Sequence, residues 1–245
     1  MQPAPAPYRS PQVLLMIAAG LAVVILGPYL LYRAASPPSR GTAAPAKSQA
    51  AGPVGLDNVL DASELDSLPQ TLREGAMLLL LNSDVPDPAD SIAALPEPVG
   101  ENLRNPVSEA VEFTEPVLYW SAFAPPPYSV TVMDERNQVV AQGPTQNTSW
   151  TVPVSLRPGG IYTWQVTVPG MVERASFRVL DQAEQNLWKG IRAGHADSHL
   201  ALGLVAQQLG LLVFAEREFR KLTEQYPDSE TAARLLENVV ALRDR

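Results

Sequence analysis

Twenty consecutive residues, Val13 to Tyr32 (VLLMIAAGLAVVILGPYLLY), carry no charge. As a helix rising 1.5 Å per residue, such a run spans about 30 Å, the thickness of a bilayer's hydrocarbon core. Eleven of the twenty are Leu, Ile or Val, which offsets Gly20, Gly27 and Pro28. Pro28 lies near one end, where a lost backbone bond is tolerated, and Tyr29 and Tyr32 suit the headgroup level. A helix buried in a globular domain would show a polar edge, and this run has none. A cleaved signal peptide would have a shorter apolar core and a small-x-small site at its end. Residues 13–32 are therefore expected to be a single transmembrane helix whose partner is the lipid bilayer.

The flanks fit that expectation. Residues 1–12 are a Pro-rich tail, and residues 33–56 are dominated by Ala, Pro, Gly and Ser. Neither buries enough apolar surface to offset its ordering entropy, so both are expected to be disordered, the second as a linker. Residues 1–50 hold four bases (Arg9, Arg33, Arg40 and Lys47) and no acid. Counting them by the positive-inside rule leaves the C-terminal bulk in the cytoplasm. Insertion as a signal anchor, with a short tail and a long translocated domain, opposes that count. The expectation is a single-pass protein of a bacterial inner membrane with its folded part in the periplasm.

The rest is acidic. The 245 residues sum to −8, with no Cys and two His. That balance argues against nucleic acid, whose phosphates need a basic face. Without Cys there is no disulfide framework, thiolate zinc site or iron–sulfur cluster. Residues 57–105, with ten acids and two bases, read as an acidic, partly helical connecting segment. Leu72, Ala76, Leu79 and Leu80 have helical spacing within Thr71–Asn82, although MLLLL suits a buried strand equally, and a short turn is expected within 57–67.

From 106 to 180 the apolar period becomes two. Tyr128, Val130 and Val132 share one face, as do Tyr162, Trp164, Val166 and Val168. Ala175, Phe177 and Val179 alternate with Ser176, Arg178 and Leu180. With an opening strand near 107–112, about seven short strands separated by turns predict a small all-β sandwich. Leu156-Arg157-Pro158-Gly159-Gly160-Ile161-Tyr162 resembles the L-x-P-G-x-x-Y corner of fibronectin type III domains. Pro116-Val117-Leu118-Tyr119-Trp120 resembles their early P-x-x-x-W strand. The resemblance implies that the Tyr162 hydroxyl bonds to nearby main chain while its ring fills the core. Trp120, Tyr162 and Trp164 are expected to be core residues.

From 181 to 245 the period returns to 3.6, predicting a short α-helical stack. DQAEQNLWKGIRAG (181–194) forms one helix with Leu187, Trp188 and Ile191 inward. Residues 199–227 resemble the tetratricopeptide repeat. Leu202 and Gly203 stand at its Leu-Gly position, Gly210 at the turn, Ala215 and Phe219 at the small and large packing positions, and Pro227 at the close. The repeat register departs at His199, Ala206 and Leu222. SETAARLLENVVALR (229–243) is a further helix with Ser229 as N-cap.

No catalytic spacing is present: no G-x-S-x-G, phosphate loop or H-E-x-x-H. His195 and His199 are four apart, but Gly194 and Asp197 place a helix start near 197 and leave His195 in a connection. No catalytic, cofactor-binding or metal site, and no small-molecule substrate, is expected. The anchor followed by a sandwich and repeat helices is also similar to the C-terminal parts of bacterial membrane-bound anti-sigma-type proteins. Those carry a zinc module before the span, where this chain has twelve residues without Cys or His. The reading that follows is a membrane-anchored, non-enzymatic scaffold or adaptor that binds protein partners; the alternative is an anti-sigma-type regulator lacking its zinc module.

Overall fold

A computed structural model describes residue 60, residues 62–81 and residues 95–244. All belong to one compact unit spanning 51–245. The expected membrane helix at 13–32, the tail at 1–12 and the linker at 33–56 lie outside the described residues. Among the described residues, no helix is long and apolar enough to cross a membrane.

The described residues form two β-sheets and five α-helices. Strands are β1 (Leu103–Asn105), β2 (Glu109–Val111), β3 (Val117–Trp120), β4 (Tyr128–Asp134), β5 (Val139–Thr145), β6 (Ser149–Thr151), β7 (Ile161–Val168) and β8 (Met171–Val179). Helices are α1 (Gln70–Leu81), α2 (Gln182–Gly194), α3 (His199–Leu209), α4 (Leu212–Gln225) and α5 (Glu230–Arg243), and a 3-10 turn covers Ala62–Leu65.

The sheets have the orders β1-β3-β6 and β2-β8-β7-β4-β5. Alternation drives their packing: Tyr162, Trp164, Val166 and Val168 of β7 are buried while their neighbours are half-buried. They meet Leu103, Leu118 and Trp120 from the other sheet in one apolar cluster. Trp164 is fully buried and its indole N–H donates to the Pro106 carbonyl at 2.8 Å. β1 begins before residue 106, where composition marks the start of the β region. A three-residue strand is too short to display a period of two.

In β8 the alternation fails: Ala175 through Val179 are all buried. Phe177 and Val179 face the β core, whereas the next residue, Leu180, joins the helical core with Ala110. The β2–β8 side of the sheet is therefore a wall between two cores, and from Ala175 onward the outer face of β8 is covered by helices instead of water.

The helices start and stop where local chemistry dictates. Asp181 and Glu184 form a reciprocal capping box on α2. Ser198 caps α3 through Ala201 N–H, and Ser229 caps α5 through Ala232 N–H. Gly210 ends α3 at φ +76°, a left-handed position that favours glycine. Between α3 and α4 the approach is close, since a Cβ on Gly203 would lie 2.4 Å from the Phe219 ring.

The helical spacing within Thr71–Asn82 appears as α1, and residue 60 and residues 62–81 pack on the helices that follow. Leu60, Leu65, Leu68, Leu72, Ala76, Leu79 and Leu80 all enter the helical core. Burying each leucine contributes roughly 1.5–3 kcal/mol, enough to hold a segment whose charge alone suggests a solvated chain.

Candidate interaction site

The two cores meet where β2 and β8 face the turn between α3 and α4. Within that turn the Gly210 and Leu211 amides serve the Ala206 and Gln207 carbonyls, which leaves the Leu209 carbonyl and the first amides of α4 to find partners outside the two helices. α4 has no side-chain cap of its own, because Leu211 stands at its N-cap. The sheet supplies the missing partners. Glu109 on β2 accepts the Val213 N–H at 3.2 Å and the Asn105 side-chain amide at 2.9 Å. Arg178 on β8 donates to the Leu209 carbonyl at 3.2 Å and pairs with Glu184 at 2.5 Å. Backbone closes the seam, with Ala110 N–H donating to the Gly210 carbonyl at 2.9 Å. Acid meets the positive end of one helix and base the negative end of the other.

Desolvation by burial pushes the Glu109 pKa up to about 7, against the lowering effect of the Val213 and Val107 amides. Glu218 behaves oppositely. Burial raises its pKa, but hydrogen bonds from His199, Lys221 and Arg217 outweigh that and hold it below the ordinary carboxylate value.

Beside this seam runs a groove of about 290 Å³ between β2, the start of β3 and the first turn of α4. Phe113 and Tyr119 line it while 65% and 48% exposed. The opposite wall is Phe214, packed edge-on against Trp188 at 4.8 Å and covered by the Arg217 guanidinium at 4.2 Å. Glu112 fixes that wall by accepting from Trp188 Nε1 at 3.2 Å and from Arg192 at 2.7 Å. Rigid aromatic faces beside an arginine are what protein interfaces concentrate at their centres. A second cavity, of about 480 Å³, borders the Tyr162 corner but is lined by more charge, including Asp134, Glu135 and Arg157.

His195 and His199 do not converge. His195 is the C-cap of α2, whereas His199 opens α3 with Nδ1 2.8 Å from Glu218. Among the described residues no group of three potential metal ligands is present. Trp120, Tyr162 and Trp164 are buried in the β core. The groove residues went unread in the sequence. Phe113 lies just beyond a three-residue strand, and Phe214 looks like one more apolar position on an amphipathic helix. The available signal was Glu109, an acid at the head of a short strand whose other residues are apolar.

No protein-family profile matches the sequence, and no curated protein matches it. Among solved structures, a chain described as "Biofilm associated protein - BSP domain" is similar at 24% identity over 37% of this chain, with a TM-score of 0.26. This chain spans about 15% of that one's length. A likeness at that level carries no argument about fold or function.

Proposed function

We propose that this chain is a membrane-anchored, non-enzymatic interaction protein, a scaffold or adaptor, held in a bacterial inner membrane by residues 13–32 with its folded part in the periplasm. In this reading the β layer is a fibronectin type III-like sandwich and α3–α5 a tetratricopeptide-like unit. Support for the sandwich comes from the corner, where the Tyr162 hydroxyl accepts the Arg157 N–H at 2.8 Å. Support for the repeat comes from Gly203 against Phe219, from buried Ala215 and from Gly210 in the turn.

The observation that carries the function is the groove beside the seam. Exposed Phe113 and Tyr119 stand on a rigid frame, which lowers the ordering cost of binding. The test places a photo-cross-linking amino acid at 113 or at 119 in the full chain within native membranes, with Glu135, which lines the other cavity and not the groove, as control position. The expected result is one discrete protein adduct from both groove positions, absent from 135, on a chain that stays in the membrane after an alkaline wash. A chain released by the wash refutes the anchor. Equal adducts from all three positions, or none, refute the groove.

A further inference from the structure

Helix α4 turns its acids inward and its bases outward. Glu216 and Glu218 are buried, whereas Arg217, Arg220 and Lys221 are exposed. The two carboxylates are shared: Glu218 pairs with Arg217 and Lys221 and meets His199, and Glu216 pairs with Arg220 and Arg243. Four bases over two acids leave the outer side of α4 positive, on a chain whose charges sum to −8. Glu224, the remaining acid of the helix, lies about 10 Å beyond Arg217 along the axis.

That positive side begins inside the groove. Phe214, Arg217 and Lys221 stand at i, i+3 and i+7, one stripe of the helix. The Arg217 guanidinium is held at two points: its Nε donates to Glu218 at 3.1 Å, and its centre lies 4.2 Å from the centre of the Phe214 ring. Its two terminal nitrogens take no acceptor among the described residues. Such a fork matches a carboxylate through two parallel hydrogen bonds, and holding it in place beforehand lowers the ordering cost of binding. The acids that line the groove are already engaged. Glu112 serves Trp188 and Arg192, and Glu109 serves the Val213 amide and Asn105. The facing wall is apolar, with Phe113 and Tyr119 exposed, and about 290 Å³ gives room for a side chain or two.

We propose that the groove takes an extended segment of a protein partner in which a large apolar residue is followed by acids. The apolar side chain fills the space between Phe113, Tyr119 and Phe214. One carboxylate takes the free end of Arg217, and a second lies toward Lys221. Arg217 and Lys221 are about 6 Å apart along the helix axis, close to the roughly 6.6 Å between alternate residues of an extended chain. A cleft admits a protruding side chain, whereas the flat headgroup layer of a membrane meets only its rims. The inference rests on the groove being the binding site proposed above and adds the chemistry of what enters it.

The test selects a random-peptide display library on the full chain in phosphatidylcholine nanodiscs, in parallel with Phe113→Ser and Arg217→Gln chains. The enriched peptides are expected to carry Asp or Glu within a few residues of a large apolar residue, and to be absent from the Phe113→Ser selection. The most enriched peptide is then made with blocked termini, and with its acids replaced by their amides. Either the amide peptide or Arg217→Gln is expected to weaken binding roughly 10-fold or more, and the two together no further than one alone. The amide peptide leaves the protein untouched, so a folding defect in the Arg217 variant does not decide the outcome. Peptides that need Phe113 but carry no excess of acid, or whose affinity ignores both changes, overturn the inference and leave the groove standing. No enrichment, or peptides indifferent to Phe113→Ser, overturns the groove as well. Affinity is expected to be the same in phosphatidylglycerol nanodiscs. Loss of peptide binding there would assign the basic side of α4 to the lipid surface and overturn the inference.

Discussion

The Glu109 carboxylate accepts the Val213 N–H at 3.2 Å, so a strand of the β layer caps a helix 104 positions further along the chain. The bond takes the place of the Ser, Thr, Asp or Asn that α4 lacks at its own N-terminus. It couples the sheet edge to the helical core through a group that titrates near neutrality.

That coupling predicts a pH dependence. The Glu109 pKa is raised from 4.5 to about 7 in the fold. Between those values the folded chain holds a proton that the unfolded chain has released, so stability falls as pH rises. The total is on the order of 3 kcal/mol. Glu109→Gln keeps an oxygen for Val213 and cannot ionise. Its urea midpoint is expected to be nearly flat from pH 5 to 8 and no lower than wild type at pH 8. Glu218, held low, acts in the opposite direction and below this window. Equal slopes for both proteins would remove Glu109 as the source.

Arg178 is the counterpart on β8. It is 7% exposed and serves both the Leu209 carbonyl and Glu184. Arg178→Met leaves the carbonyl without this donor and the carboxylate without its charge partner, and is expected to destabilise by about 3 kcal/mol. Arg178→Lys recovers little, because an ammonium lacks the planar fork that serves two acceptors at once. Guanidinium denaturation of the three proteins measures both steps.

These two residues explain what the sequence displays and what it conceals. The alternation of Tyr162, Trp164, Val166 and Val168 is legible because one face of β7 is buried and the other is not. The β8 sequence alternates in the same way, but from Ala175 to Val179 both faces are covered, so Arg178 reads as a solvent position and is a buried one. Gly210 reads correctly as a turn; the close helix approach belongs to Gly203. The role of Glu109 is invisible locally, since its partner lies on another element. The MLLLL run suits helix or strand until the α3–α5 face beside it decides.

Gly203→Ala tests that close approach. In an exposed helix the change would stabilise by up to about 1 kcal/mol. Here the new methyl would lie 2.4 Å from Phe219 Cε1, on a ring that is fully buried. Overpacking is expected to destabilise by about 1–3 kcal/mol. Adding Phe219→Leu makes room for the methyl, so the double variant is expected to lie above the sum of the singles. A stabilising Gly203→Ala would show that the two helices do not meet there.

Tyr162 tests the β corner. Its hydroxyl accepts the Arg157 N–H at 2.8 Å, while its ring stacks on Phe177 with centroids 5.7 Å apart. Tyr162→Phe removes the bond and keeps the ring, so the loss is expected to be about 0.5–1.5 kcal/mol, the net contribution of one hydrogen bond. Tyr162→Leu also removes the stacking and is expected to cost more. Glu135, which accepts from Ile161 N–H at 3.1 Å and pairs with Arg157 at the exposed edge, separates corner from surface. Glu135→Ala is expected to change stability by less than about 1 kcal/mol, as exposed pairs do. A Tyr162→Phe midpoint equal to wild type would mean that the corner closes without its hydroxyl.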